Sequence, residues 1–280
     1  MVLINILKTM RPVHWVKNIM VMAPLFFSGG MARHEGYARE LMAFAGFCFA
    51  ASFIYVLNDI GDAEQDRMDP VKRNRPYAAG LLRRVHMGAA AVFAAVVAGM
   101  CCGFLGSGYS VIIGVYVLSM VLYTFFVKRF RMAGIILIAT GMILRIVAGA
   151  VAIDVQVSAW VYPSAFFLTV YVVCGKRLYS DVFNGVEGPS RAEMTIFRAS
   201  GIATFIIYVI YCLSGVGPQK YGTGYLWLTA PFVAVALWRY NTSIHERMPG
   251  REHLHGILRD AWITGSVICW VIVFSLLIYV

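Results

Sequence analysis

The sequence predicts an all-α protein embedded in a membrane: about nine transmembrane helices in a single integral-membrane domain over residues 1–280. Two observations predict it. Hydrophobic residues make up 60% of the chain and charged residues only 14%, where a soluble domain of this size carries nearly twice that charged fraction, about 25%. Apolar segments long enough to span or nearly span a bilayer recur from end to end, and no period-two alternation competes with them.

In chain order the expected spans lie near 18–30, 41–58, 85–106, 109–127, 133–153, 159–175, 198–215, 224–240 and 261–279. The first is short and broken by Pro24, so it tilts or reaches back into the basic N-terminus. The third and fourth are parted only by Leu105-Gly-Ser-Gly108, a tight helical hairpin. The N-terminal MVLINILKTMRPVHWVKN is basic and aromatic without a small-residue cleavage site, so no cleavable signal is expected. The cysteines (Cys48, Cys101, Cys102, Cys174, Cys212, Cys269) lie in apolar stretches with no CxxC pair and are expected to be small core residues.

The net charge of +10 admits nucleic acid, membrane surface or an anionic ligand as its cause. Charge placement decides. With the N-terminus in the cytoplasm and alternating spans, the inside segments hold 20 of the 24 Lys and Arg, and the outside loops hold three: Arg33, Arg39 and Lys220. That asymmetry is topology. It predicts a multi-pass protein of the inner (plasma) membrane and no nucleic-acid partner.

Acids are scarce, and five of the 14 fall between residues 59 and 69, in Asn58-Asp59-Ile-Gly-Asp62-Ala-Glu64-Gln-Asp66-Arg67-Met-Asp69-Pro70. On a helix Asp59, Asp62 and Asp66 stand at i, i+3 and i+7, one stripe roughly 10 Å long at about 1.5 Å per residue. Like charges so spaced repel unless a cation sits among them, and Mg²⁺ suits a few carboxylates completed by water and phosphate oxygens. Pro70 ends the helix, and Lys72, Arg73 and Arg75 follow. A metal on one side and guanidinium groups on the other is what a bound diphosphate needs. A solvated loop at the membrane edge explains the cations equally well, but not the carboxylates.

Three other features stand out. Arg145 lies mid-span, where an arginine costs several kcal/mol unless a polar partner meets it; a ligand phosphate or structural carbonyls must satisfy it, and a substrate role is expected. Lys176 and Arg177 end the sixth span on the cytoplasmic side. Arg11, His14, Trp15, Lys17 and Asn18 form an amphipathic box, with Lys17 the expected phosphate contact. His245, His253 and His255 lack metal-ligand spacing and are expected at the surface.

At these residues the sequence resembles the UbiA superfamily of intramembrane prenyltransferases, whose NDxxDxxxD signature is matched by Asn58, Asp59, Asp62 and Asp66. Within it, the resemblance is nearer to the decaprenyl-phosphate phosphoribosyltransferase branch. Arg11–Asn18 is similar to that branch's amino-terminal box, Lys72–Gly80 to its KRxRPxAxG tail, and Leu144–Ile153 to its fifth helix. Gly175-Lys-Arg177 stands where relatives outside the branch carry a second acidic motif, and Arg239–Asp260 is also similar. Two positions depart. Asp69 stands where the branch usually has His, and Ser180-Asp181 replaces a usual Glu, which leaves Asp181 open as a metal ligand or a shifted substitute.

The resemblance implies Mg²⁺ as cofactor on Asp59, Asp62 and Asp66, phosphoribosyl pyrophosphate as electrophile and a polyprenyl phosphate as nucleophile. It implies that Asn58 orients a carboxylate or accepts a sugar hydroxyl. Phosphates would then be bound by Lys17, Lys72, Arg73, Arg75, Arg145, Lys176 and Arg177. Three rivals are weaker. An aromatic prenyltransferase should show a second Asp-rich motif near 176–184, where only Asp181 stands. A CDP-alcohol phosphotransferase needs Gly after its second Asp, where this chain has Ala63. A transporter should scatter polar groups at mid-membrane, where Arg145 is the sole deep charge.

Overall fold

The structure, a computed structural model, describes residues 1–28, 36–183, 191–245 and 260–279. Arg33, His253 and His255 lie outside the described residues, as does the His245 side chain. Every regular element among the described residues is helical, and they form two compact units, 1–157 and 158–280.

The first unit opens with α1 (Val2–Met10), then a 3-10 segment, Pro12–Met22, and the short α2 (Ala23–Phe27). The long α3 (Tyr37–Gly61) follows, then α4 (Ala63–Met68), a 3-10 turn at Lys72–Asn74, α5 (Arg84–Leu105), α6 (Ser107–Leu122, continued by a π-helical turn Tyr123–Val127) and α7 (Arg131–Ala152). The second unit contains α8 (Val161–Phe183), α9 (Arg191–Leu213), α10 (Val216–Tyr221), a 3-10 turn at Leu226–Thr229, α11 (Ala230–His245) and α12 (Ala261–Tyr279).

Six of these helices are long and apolar enough to cross a membrane: Tyr37–Gly61, Arg84–Leu105, Ser107–Val127, Arg131–Ala152, Arg191–Leu213 and Ala261–Tyr279. Each coincides with an expected span. The expected first span differs: residues 12–22 are 3-10 rather than α, and only five α-helical residues follow. The proline-bearing stretch lies as a strap along α3 and α7.

In lipid there is no hydrophobic force between helices, so close packing rests on small residues. That rule is visible where α3 meets α5, through Ala50 and Ala51 on one helix and Ala90, Ala94 and Ala98 on the other. A Cβ on Gly46 would come within 2.7 Å of Cys101 Cβ and 2.8 Å of the Tyr109 hydroxyl. The hairpin between α5 and α6 turns on Gly106, at φ 96°, which favours a residue without a Cβ. Large apolar side chains such as Val92, Phe93, Phe104, Val111 and Leu118 point outward, as lipid-facing residues do. Four of the six cysteines are buried, as expected; Cys102 is half-buried and Cys269, on α12, is exposed.

Candidate active site

Asp59 lies 22 residues beyond the start of α3, about 33 Å along the axis. That is close to the thickness of a bilayer's hydrocarbon core, about 30 Å, so the acidic segment begins where α3 leaves the membrane. There the helix stops. Gly61 is its last residue, Asp62 (φ −96°, ψ 3°) caps it with a backbone bond to the Asn58 carbonyl at 2.9 Å, and α4 starts afresh at Ala63.

The expected single stripe of three carboxylates is therefore corrected. Asp59 and Asp66 converge: Arg75 Nη1 donates to Asp66 Oδ2 at 2.6 Å and lies 3.5 Å from Asp59 Oδ1. Asp62, displaced by the break, pairs with Lys128 beyond the π-helical turn of α6. Among the described residues no group of three or more His, Cys, Asp or Glu stands close enough to hold a metal ion. Two carboxylates around one cationic nitrogen still suit Mg²⁺, which commonly takes one or two carboxylates and completes its shell with water and substrate phosphates. The donor set is all hard oxygen, as that ion prefers.

Asp59 is nearly sealed, its side chain 2% exposed, and it accepts a second cation, Arg11. Arg11 was missed as a site residue because its box read as a membrane anchor, with Lys17 favoured in it. It sits in the left-handed region (φ 54°, ψ 58°), where α1 ends and the strap begins, and its guanidinium also covers the Tyr55 ring at 5.1 Å. Lys128 was missed too, counted as topology within the Lys128–Arg131 cluster. No local signal distinguishes either residue from an anchor.

The loop after α4 is held by Asp69. Its Oδ1 accepts from the backbone N–H groups of Val71 and Lys72, both at 2.9 Å, an Asx turn that carries the chain past Pro70. These bonds, from Lys72 first and then Val71, hold the Asp69 carboxyl below its ordinary range. Lys72 pairs with Asp69 at 3.5 Å, and Arg73 is exposed. Of the three loop cations, Arg75 is the one joined to Asp59 and Asp66, while Asn58 is half-buried beside Asp59.

Of the two ways expected to satisfy Arg145, a ligand phosphate or structural carbonyls, the protein supplies the second. Arg145 is 9% exposed, and each of its three nitrogens donates to protein: Nε to Asn18 Oδ1 at 2.8 Å, Nη1 to the Gly141 carbonyl at 2.8 Å, Nη2 to the Tyr116 hydroxyl at 3.2 Å. Its guanidinium carbon stands 5.2 Å from the ring centroids of both Phe47 and Tyr116. Protein carbonyls and rings thus meet the cost of a mid-membrane arginine. In the second unit, Lys176 is exposed and Arg177 half-buried near the end of α8, with Asp181 on the same helix. Just before them Gly175 lies flush against Tyr240, whose hydroxyl donates to the Val172 carbonyl at 2.8 Å; a Cβ on Gly175 would stand 2.6 Å from that hydroxyl.

Comparison with known proteins decides the family. Residues 21–253 match the UbiA prenyltransferase family. The chain belongs to that family. This UbiA-family protein is a multi-pass membrane transferase. It is 36% identical over 251 residues to decaprenyl-phosphate phosphoribosyltransferase of Corynebacterium glutamicum, covering 88% of this chain and 70% of that one. It is 33% identical over 281 residues to the protein of that name from Mycobacterium tuberculosis, covering 92% of each. Its fold is similar to a UbiA homologue from Archaeoglobus fulgidus solved with GPP and Mg²⁺, at a TM-score of 0.70 and 16% identity over 99% of this chain and all of the other.

Proposed function

We propose that this UbiA-family protein transfers the 5-phosphoribosyl group of phosphoribosyl pyrophosphate to a polyprenyl phosphate of decaprenyl type, releasing pyrophosphate. The observation that carries the reading is the similarity to decaprenyl-phosphate phosphoribosyltransferases over 92% of both chains. The site's chemistry supports it, since paired carboxylates and a cluster of guanidinium groups at the membrane edge suit a diphosphate.

Mg²⁺ would be held by Asp59 and Asp66, with Asp62 at the edge of the set, and would neutralise charge on the pyrophosphate as it departs. Asn58 orients Asp59 or accepts a sugar hydroxyl. Arg75, Lys72 and Arg73 bind phosphate oxygens, Arg11 orients the Asp59 carboxylate, and Lys17 contacts phosphate from the amino-terminal box. Lys176 and Arg177 replace an acidic motif with cations, which suits a further phosphate. The lipid phosphate is already ionised, so attack at the anomeric carbon needs no strong base. The chain crosses the inner membrane several times with its N-terminus and site on the cytoplasmic face, as the 20 of 24 cations on that side support.

The test follows radiolabel from phosphoribosyl pyrophosphate into a polyprenyl phosphate fraction, with Mg²⁺ and with Asp59→Asn and Asp66→Asn controls. Label reaching lipid only with Mg²⁺ and intact aspartates is the expected result. The second reading, prenyl transfer from a prenyl diphosphate to an aromatic acceptor, is favoured by the fold shared with a GPP-bound homologue. Prenylation of an aromatic acid with no label in lipid would replace our reading with that one.

A further inference from the structure

Arg11 reaches Asp59 from a strained start. The left-handed region is disfavoured for a residue other than glycine, because the Cβ crowds the following carbonyl oxygen, and Arg11 holds that conformation at φ 54°. The residues after it, Pro12–Met22, form a 3-10 segment of 11 residues. Such helices rarely run beyond three or four residues, because their hydrogen bonds are poorly aligned. Neither feature persists without outside support, and four ties supply it. Arg11 meets Asp59 at one end. Trp15 Nε1 donates to Ser52 Oγ at 3.0 Å, and Ser52 Oγ in turn donates to the Met10 carbonyl at 2.9 Å. Asn18 accepts from Arg145. At the far end the Val21 carbonyl lies so close to Gly149 that a Cβ there would stand 1.8 Å from it.

The Asn18 tie differs from the others. Asn18 is 1% exposed, and its amide is used on both sides, Oδ1 by Arg145 and Nδ2 toward Cys48 Sγ at 3.3 Å. Arg145 is fixed independently by Gly141 and Tyr116 on its own helix and on α6. Gly141 leaves the room: a Cβ there would stand 3.5 Å from Arg145 Nη1 and 3.2 Å from Met120 Cε. A rigid guanidinium bonded to α6 and α7 therefore grips the middle of the strap. From Asn18 to Arg11 is seven residues, about 14 Å at roughly 2.0 Å per residue.

We infer that Arg145 is a positioning residue: acting through Asn18, it holds the Pro12–Met22 strap in the register that delivers Arg11 to Asp59. The inference rests on the proposed function for the consequence to catalysis, and on geometry alone for the register. Each nitrogen of Arg145 donates to the protein, so three of its five N–H groups already serve the fold.

The test uses the full-length protein in detergent or nanodiscs, with Cys269→Ser and spin labels at Val16→Cys on the strap and Gln65→Cys on α4. Electron–electron distances are measured alongside phosphoribosyl transfer for Arg145→Met, Asn18→Leu and Asn18→Asp. Asn18→Leu and Arg145→Met should each broaden the label distance and cut transfer roughly 10- to 100-fold, as loss of a hydrogen bond to a charged group does. Asn18→Asp keeps the acceptor and should restore both readouts to within about threefold of the parent. Adding Arg11→Met to Asn18→Leu should cost little more, because the two act through one chain of contacts. A narrow, parent-like distance in Asn18→Leu overturns the inference, as does full transfer by that variant beside loss in Arg145→Met, which would make Arg145 a direct substrate contact. If Arg145→Met does not fold, the two Asn18 variants decide alone. A parent without phosphoribosyl transfer whose label distance still broadens in Asn18→Leu would sink the proposed function and leave the register intact.

Discussion

Arg75 and Asp66 are joined by a hydrogen bond of 2.6 Å from Nη1 to Oδ2, and the same nitrogen stands 3.5 Å from Asp59. One guanidinium therefore sets the spacing of two carboxylates that come from different helices, α3 and α4, on either side of a break. A charge-assisted bond of this kind contributes about 1.5–3 kcal/mol, so Arg75→Met should lower kcat/KM for phosphoribosyl transfer roughly 10- to 100-fold. Arg75→Lys keeps the charge but loses the planar fork, and should recover part of the loss. Steady-state kinetics at saturating Mg²⁺ checks this; a fall of less than about twofold in Arg75→Met would remove Arg75 from the site.

Gly149 is where the strap approaches α7 most closely. A Cβ there would stand 1.8 Å from the Val21 carbonyl oxygen and 2.8 Å from its carbon, both backbone atoms that cannot swing aside. Overpacking a tight contact costs about 1–3 kcal/mol, occasionally more. Gly149→Ala should lower the Tm in detergent. The same substitution at Gly88, where nothing stands within 4 Å of the added Cβ, should not. Equal Tm values for the two variants would contradict the close approach.

How far the sequence was legible depends on the kind of force involved. The six helices among the described residues that are long and apolar enough to cross a membrane coincide with expected spans, because an apolar run of that length has no other stable setting. The pairing of Asp59 with Asp66 was visible through the scarcity of acids in the chain. The break after Gly61 was not allowed for, although a glycine inside a helical pattern is a known interruption; a period of 3.6 carried through it wrongly aligned Asp62 with the other two. Arg11 and Lys128 were hidden because an anchoring cation and a site cation look alike in sequence. Arg145 was visible as an anomaly, but its partners, Asn18 and Tyr116, lie 127 and 29 residues away and only the tertiary fold brings them together.

Glu40, near the start of α3, is fully buried, and among the described residues neither carboxylate oxygen has a hydrogen-bond partner. An unsatisfied buried polar group costs about 1–3 kcal/mol, more when charged. An apolar side chain of similar length removes that cost, so Glu40→Met should raise the Tm without altering transfer. Thermal unfolding in detergent beside the label-transfer assay checks both halves. A lowered Tm would mean that Glu40 has a stabilising contact the structure does not contain.

Asp69 offers a prediction in pH. The backbone N–H groups of Lys72 and Val71 hold its carboxyl below the ordinary range in the folded protein. A group depressed on folding contributes order that is complete above its unfolded value, about 3.9, and is lost as pH falls through the folded value. Between pH 5 and 8 the Asx turn should therefore be fully formed and insensitive to pH. Asp69→Ala should loosen the loop across that whole range, exposing Lys72 and Arg73 to trypsin. Asp69→Asn, which keeps an oxygen acceptor without the charge, should fall between the two. Cleavage rates after Lys72 and Arg73, measured at pH 6 and pH 8, are the readout. A parent-like rate in Asp69→Ala would show that Pro70 alone sets the turn, and a parent whose loop loosens between pH 8 and pH 6 would show that another group controls it.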